Sequence, residues 1–388
     1  MMKLLTSGLL TIWLSVASAA SDPIIPAPPQ LAASAYLLIE ATTGKVLVDF
    51  NSGQRLPPAS LTKMMTSYVA ASELERGTIS KADMVSISVR AWRMQGSRMF
   101  IQEGTKVKLD DLLRGIVIQS GNDASVALAE HIAGSEEAFA DFMNQHALRL
   151  GMVDTNFVNS TGWPDENHYT SARDLANLAI GLINSHPEHY KIYSEKTFTF
   201  NDITQRNRNS LLFRDNTVDG VKTGHTEAAG YCLVSSAMRN GMRLVSVVMG
   251  ANSESSRSTE SQKLLTYGFR YFETVNLYKR NVSLRKVRVW GGTHQSINLG
   301  LEQDVVLTIP RGSRDNLMAN VEINKEIHAP LQKGQQLGSL TIAGGTSLST
   351  PLVALNAVEE AGFFSQLWDT LSLIILKMFS GDPLALEA

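Results

Sequence analysis

Apolar and polar positions recur with several different periods along this chain. An apolar run over residues 4–16 follows Lys3 and ends in Ala17-Ser18-Ala19-Ala20. The run is shorter than the ~20 residues that cross a bilayer. A charge, a short apolar core and a small-residue end predict a secretory signal peptide over residues 1–20. Residues 35–50 read as a hairpin: Tyr36-Leu37-Leu38-Ile39-Glu40, a turn through Thr42-Thr43-Gly44, then Lys45-Val46-Leu47-Val48. Residues 60–76 change to helical period, with Met64, Met65, Tyr68, Val69 and Leu74 among polar neighbours. Helices are predicted again over 125–133, 137–150 and 171–184, the last with Ser171 placed to cap it. Residues 230–237 and 243–249 read as strands, and Asn240-Gly241 between them is a strong hairpin signal. A helix over 259–272 follows. Edge strands, a helical block and returning strands predict an α+β fold.

From residue 275 to 355 the helical period disappears. Short strand-like runs at Val305-Val306-Leu307-Thr308-Ile309-Pro310, Val321-Glu322-Ile323 and Leu337-Gly338-Ser339-Leu340-Thr341-Ile342 predict a small all-β domain. Residues 356–388 form a tail in which Phe363, Phe364, Leu367, Trp368, Leu371, Ile374, Ile375, Met378 and Phe379 fall on one broad helical face. Such an amphipathic helix is expected to lie in a membrane interface rather than to dock on the body of the protein. Its one basic residue, Lys377, gives little attraction for anionic lipid. The expected organisation is therefore a signal peptide (1–20), a main α+β domain (30–274), a β domain (275–355) and a membrane-anchoring tail (356–388).

Composition narrows the function. With 35 Lys+Arg against 37 Asp+Glu, the chain lacks the basic surplus that nucleic-acid binding needs. Its 1 cysteine, Cys232, can form neither an intrachain disulfide nor a cysteine metal site, and reads as a small buried apolar residue.

Three motifs remain as candidate chemistry. In Ser60-Leu61-Thr62-Lys63 nearly one helical turn separates hydroxyl from ammonium, so both share a face. A buried lysine near another cation can lose enough basicity to act on the serine. Taken alone, Ser60 could equally cap a helix. Ser120-Gly121-Asn122 offers a proton-relaying hydroxyl and an amide that can meet a substrate carbonyl; alone it could be a turn. Lys222-Thr223-Gly224, followed by His225, could hold a carboxylate on an edge strand where glycine permits close backbone approach. Their order, S-x-x-K, then a serine-containing motif, then K-T-G, is a signature of penicillin-binding proteins and serine β-lactamases.

With these motifs in an exported chain, the sequence resembles the exported D-alanyl-D-alanine carboxypeptidases, the low-molecular-mass penicillin-binding proteins. Pro58-Ala59 before Ser60, Asp123-Ala124 after Asn122, Asn207-Arg208-Asn209, Asp219-Gly220-Val221 before Lys222, and Lys263-Leu264-Leu265-Thr266-Tyr267-Gly268-Phe269 extend the match. The resemblance implies that Ser60 is the acylated nucleophile, Lys63 its base, and Ser120 the relay to the leaving D-alanine. It implies that Lys222 keeps Lys63 neutral by repulsion, and that Asn122 contacts the peptide. Backbone N–H groups of Ser60 and His225 would form an oxyanion hole, and Thr223 and Arg257 would hold the terminal carboxylate beside Gly224. The implied partners are peptidoglycan stem peptides, β-lactams as covalent inhibitors and the periplasmic surface of the inner membrane; no cofactor or metal is implied. A class A-like β-lactamase is the nearest rival. It uses a carboxylate in E-x-x-L-N to activate the deacylating water, and no such pentapeptide lies between Ser120 and Lys222, where Glu166 stands in a different context. A non-catalytic peptidoglycan-binding protein would have no need of the serine and lysine.

Overall fold

A computed structural model describes residues 23–344 and 347–379. The predicted signal peptide lies outside the described residues. The chain divides into two compact units, one comprising residues 26–282 with 303–309, the other residues 283–302 with the chain from 310 onward.

The first unit is built on a five-stranded antiparallel sheet ordered Val46–Phe50, Ala35–Glu40, Met242–Ala251, Gly230–Arg239, Val218–Thr226. The three central strands are almost entirely buried, which explains why they read as near-continuous apolar runs. Asn240 and Gly241 turn the hairpin between two of them with φ of 49° and 79°, the left-handed pair that a two-residue turn of this hand requires. Glu254–Tyr271 packs along this sheet: a Cβ on Gly268 would overlap Leu38 and Leu244. That helix begins five residues before its apolar period, because Ser253 caps it by accepting from the Ser256 N–H at 3.0 Å.

The helical block consists of Lys63–Arg76, Leu109–Ile118, Asn122–Ala133, Glu136–Arg149 and Ala172–Ser185. Ser171 caps the last of these, accepting from the Asp174 N–H at 3.2 Å as its spacing predicts. Residues 59–62 form a separate 3-10 turn ahead of the Lys63–Arg76 helix, so Ser60 is not that helix's cap. Cys232 is fully buried, and burial raises its thiol to about 11.

The second unit holds another five-stranded antiparallel sheet, ordered Arg285–Arg288, Ser296–Gly300, Leu348–Ala354, Gln336–Ala343, Met318–Ile323. The predicted strand at residues 305–310 does not join it. Val305–Pro310 pairs instead with Phe272–Tyr278. The tail forms the helix Phe363–Phe379, and here the sequence expectation needs correcting. This helix docks on its own unit, through its polar side. The Asp369 carboxylate is buried, accepts from the Gly291 N–H at 2.9 Å and lies 3.5 Å from Arg288. Leu373 is buried beside it, while Phe363, Phe364, Leu367, Trp368, Leu371, Ile374 and Ile375 stay exposed. A buried carboxylate needs partners, and the β domain supplies them on the side opposite the apolar face.

Candidate active site

Ser60 sits in the 3-10 turn entered from Pro57-Pro58. Ala59 before it has φ of 48°, an unfavourable left-handed conformation for a residue with a Cβ. A loop holds this turn in place: a Cβ on Gly162, itself at φ +84°, would overlap the Ala59 carbonyl. That loop is rigid in turn, because the Asn159 side-chain oxygen accepts from the backbone N–H groups of Thr161, Gly162 and Trp163.

Lys63, one turn after Ser60, is 1% exposed. Its ammonium donates to Ser60 Oγ at 3.1 Å, Asn122 Oδ1 at 2.7 Å and the Thr161 carbonyl at 2.6 Å. Burial lowers its pKa to about 7, helped by the charge of Arg208 and opposed by Asp123 and Glu136. A lysine in this state exchanges a proton near neutrality.

Ser120 lies between the helices Leu109–Ile118 and Asn122–Ala133, with φ of 64°. Asp123 pins the neighbouring segment by accepting from the N–H groups of Met99, Phe100 and Ile101. From that segment the Gln95 carbonyl takes the Asn122 Nδ2 donor at 2.6 Å. Asn122 is thereby fixed with its oxygen toward Lys63, leaving one amide hydrogen for other partners.

The strand Val218–Thr226 forms the sheet edge beside these residues. Lys222 is buried and donates to Ser120 Oγ at 2.9 Å and to the Thr223 carbonyl at 3.1 Å. Burial depresses its pKa well below the usual range, and the charges of Lys63, Arg208 and Arg257 add to this. The two buried ammonium groups, Lys63 and Lys222, therefore disfavour each other's charge. The guanidinium of Arg208 adds to this effect on both lysines. Repulsion by Lys222 is what the sequence leads one to expect, and Arg208 is the cation that expectation leaves out.

Thr223 and Gly224 are buried, and His225 is exposed, stacked on Tyr231 with ring centroids 4.0 Å apart. A Cβ on Gly224 would press on the Pro58 carbonyl and Leu61, so glycine lets the edge strand lie against the nucleophile's turn. Arg257, from the first turn of Glu254–Tyr271, reaches behind the strand. Its guanidinium donates to the Gly224 carbonyl at 3.4 Å and to Glu254 at 2.8 Å. The structure therefore gathers Ser60, Lys63, Ser120, Asn122, Lys222 and Thr223-Gly224-His225 around one cleft edge, with Arg257 at its back.

Residues 22–253 match the family described as peptidase S11, D-alanyl-D-alanine carboxypeptidase. The chain belongs to this family of serine carboxypeptidases. Residues 272–360 match a second description, penicillin-binding protein 5, C-terminal domain. The chain is 44% identical to D-alanyl-D-alanine carboxypeptidase DacA of Escherichia coli, over 97% of this chain and 96% of that one. Penicillin-binding protein 5 of Haemophilus influenzae superposes with a TM-score of 0.81 at 45% identity, covering 86% of this chain and all of the other. Penicillin-binding protein D2 of Listeria monocytogenes, solved in an ampicillin-bound form, superposes with a TM-score of 0.58 at 28% identity, covering 63% of this chain and all of the other.

Two features of the enzyme's site are absent from the sequence reading. Thr161 contributes a backbone carbonyl, which no motif records. Arg208 lies inside the quoted Asn207-Arg208-Asn209 run, but the run gives it no role. The flanking asparagines are structural: Asn209 donates to the Gly220 carbonyl at 2.9 Å, and Asn207 donates to the Glu195 carbonyl at 3.1 Å. They fix the backbone that carries Arg208 into the field of both lysines.

Proposed function

We propose that this carboxypeptidase removes the terminal D-alanine from peptidoglycan stem pentapeptides through an ester on Ser60, and that β-lactams acylate the same hydroxyl as their ring opens. The observation that carries the assignment is the buried Lys63 amine, held 3.1 Å from Ser60 Oγ with a pKa of about 7. In its neutral form Lys63 takes the hydroxyl proton as Oγ attacks the penultimate carbonyl carbon. The oxyanion develops toward the Ser60 and His225 N–H groups. The C–N bond then breaks, and the proton passes from Lys63 through Ser120 to the leaving amine. Water next attacks the ester carbonyl and gives a proton to Lys63; as the C–Oγ bond breaks, Lys63 passes that proton to Oγ, which restores both groups and releases the shortened peptide. Lys222 orients Ser120, Asn122 meets the peptide, and Thr223 with Arg257 holds the terminal carboxylate beside Gly224. No step calls for a metal or cofactor.

Four segments carry this function: a signal peptide (1–20) for export, a catalytic domain (30–274), a β domain (275–355) and a tail (356–388) on the periplasmic face of the inner membrane. The exposed apolar face of Phe363–Phe379, pointing away from the docked Asp369, supports the membrane assignment. No described helix is long and apolar enough to cross a membrane, which fits a peripheral attachment.

The test is mass spectrometry of the protein incubated with penicillin, together with D-alanine release from a pentapeptide. A penicilloyl adduct on Ser60 and stoichiometric release are expected. An adduct on another residue contradicts the assignment.

A further inference from the structure

The Thr161 carbonyl accepts from the Lys63 ammonium at 2.6 Å, and the residue before it is what aims that carbonyl. Ser160 is fully buried and tied to two helices. Its carbonyl accepts from Thr66 Oγ1 at 2.6 Å, three residues beyond Lys63 on the same helix. Its N–H and its hydroxyl both donate to a single carboxylate oxygen, Glu136 Oε1, at 3.0 and 2.7 Å. The other oxygen, Glu136 Oε2, accepts from Arg90 at 2.7 Å. Glu136 is 5% exposed and opens the helix Glu136–Arg149, where the helix dipole favours a negative charge.

Hydrogen bonding alone does not account for a carboxylate at this place. A neutral amide oxygen could accept both Ser160 donors, and a buried charge costs more to desolvate. Arg90 offsets part of that cost from an exposed position, where it also donates to Glu137 at 3.0 Å. What the charge adds, and an amide would not, is its field at Lys63. Arg208 and Lys222 oppose protonation of that amine, and Asp123 and Glu136 favour it. His168, also within its field, is neutral above about 4. A group that must both take a proton and return it works best when it titrates near the working pH. Cations and burial alone would drive Lys63 past that point.

We propose that Glu136 is a positioning residue for the proton transfers of Lys63. Through Ser160 it keeps the Thr161 carbonyl on the amine, and its negative charge counters Arg208 and Lys222 there. This rests on Lys63 as the proposed base.

Two substitutions separate placement from charge. Ser160→Ala removes a hydrogen bond and keeps the carboxylate, whereas Glu136→Gln keeps an acceptor for Ser160 and removes the charge. The measurement is kcat/KM against pH for the full chain on N-acetyl-lysyl-D-Ala-D-Ala, with the thermal transition of each variant. Ser160→Ala should lower the plateau by about 2–10-fold and leave the acid limb in place. Glu136→Gln should move the acid limb to lower pH, opposite to the shift expected of Arg208→Ala. Glu136→Ala should show that shift together with a plateau loss of about 10–100-fold. If Glu136→Ala does not fold, the other two variants carry the test. An acid limb unmoved by Glu136→Gln overturns the proposal. So do rate losses that disappear well below each variant's thermal transition, which would make Glu136 a scaffold residue only. Lys63→Arg distinguishes the underlying reading: turnover surviving there overturns the base itself, whereas unmoved Glu136 profiles with an inactive Lys63→Arg overturn the positioning role alone.

Discussion

At the scale of single residues the proposed chemistry rests on Ser60 and Lys63. Ser60→Ala should abolish both D-alanine release and covalent labelling by penicillin while the thermal transition stays in place, because one hydroxyl serves both reactions. Lys63→Arg should reduce acylation by about 10²–10⁴-fold, since an always-charged guanidinium cannot accept the hydroxyl proton. With Lys63 titrating at about 7, kcat/KM should fall as pH drops through that value. Arg208→Ala should move this acid limb to higher pH, because it removes the charge that, after burial, most disfavours the Lys63 ammonium. A pH–rate profile unchanged by Arg208→Ala would return the effect to burial and to the neighbouring Lys222. Ser60, Lys63, Ser120 and Lys222 were legible from motifs because their types and local spacing carry the requirement. Arg208 was not, because its effect depends on proximity to residues far away in sequence.

Among the elements, the 3-10 turn with Ser60 and the helix after it are braced from outside by segments the motifs do not include. His168 is one brace. Its Nε2 lies 2.8 Å from Thr62 Oγ1, and its Nδ1 accepts from the Val158 N–H at 3.1 Å. An accepting Nδ1 must be unprotonated, and burial accordingly lowers the His168 pKa from 6.5 to about 4. His189, 2.6 Å from Ser67, is lowered to about 3 for the same reason. The folded state binds these protons less readily than the unfolded chain. Their stabilisation is thus complete above pH 6.5 and declines as pH falls from there toward 4 and then 3. Denaturant titrations across that range should show decreasing stability, and His168→Gln should flatten part of the slope. Gly162→Ala should also be destabilising, by about 1–3 kcal/mol for its left-handed backbone alone, with a further loss of acylation rate as Ala59 is displaced. The Lys63–Arg76 helix was legible from period. The short hairpins Met84–Ser86 with Lys106–Lys108, and Thr197–Phe200 with Ile203–Arg206, were not, because three or four residues carry too little alternation to stand out.

Over the whole molecule, the tail holds its own unit through Asp369, and its exposed apolar face is proposed to meet lipid. Removing residues 362–388 should abolish binding to phospholipid vesicles in a flotation assay while leaving kcat/KM on soluble peptides unchanged. It should also destabilise the β domain, since Arg288 and the Gly291 N–H lose the Asp369 carboxylate, a charged hydrogen bond worth about 1.5–3 kcal/mol. Vesicle binding should depend weakly on salt, because apolar burial outweighs the single charge of Lys377. A truncated protein that still floats, or a full-length one released by moderate salt, would contradict a lipid-facing tail.

The sequence by itself determined the α+β class, the β-rich second part, the amphipathic tail, the family and the motif residues. Each of these is written in local spacing: period 2 or 3.6, a cap three residues from its partner, a serine and lysine one turn apart. Only the tertiary structure decided that Arg208 adds its charge beside Lys63, which carbonyl completes the shell of that lysine, where the strand Val305–Pro310 pairs and which side of the tail faces protein. Those outcomes depend on distances between segments remote along the chain. Electrostatic repulsion and the need to satisfy buried polar groups act through space, so a one-dimensional pattern records the groups and leaves their partners open.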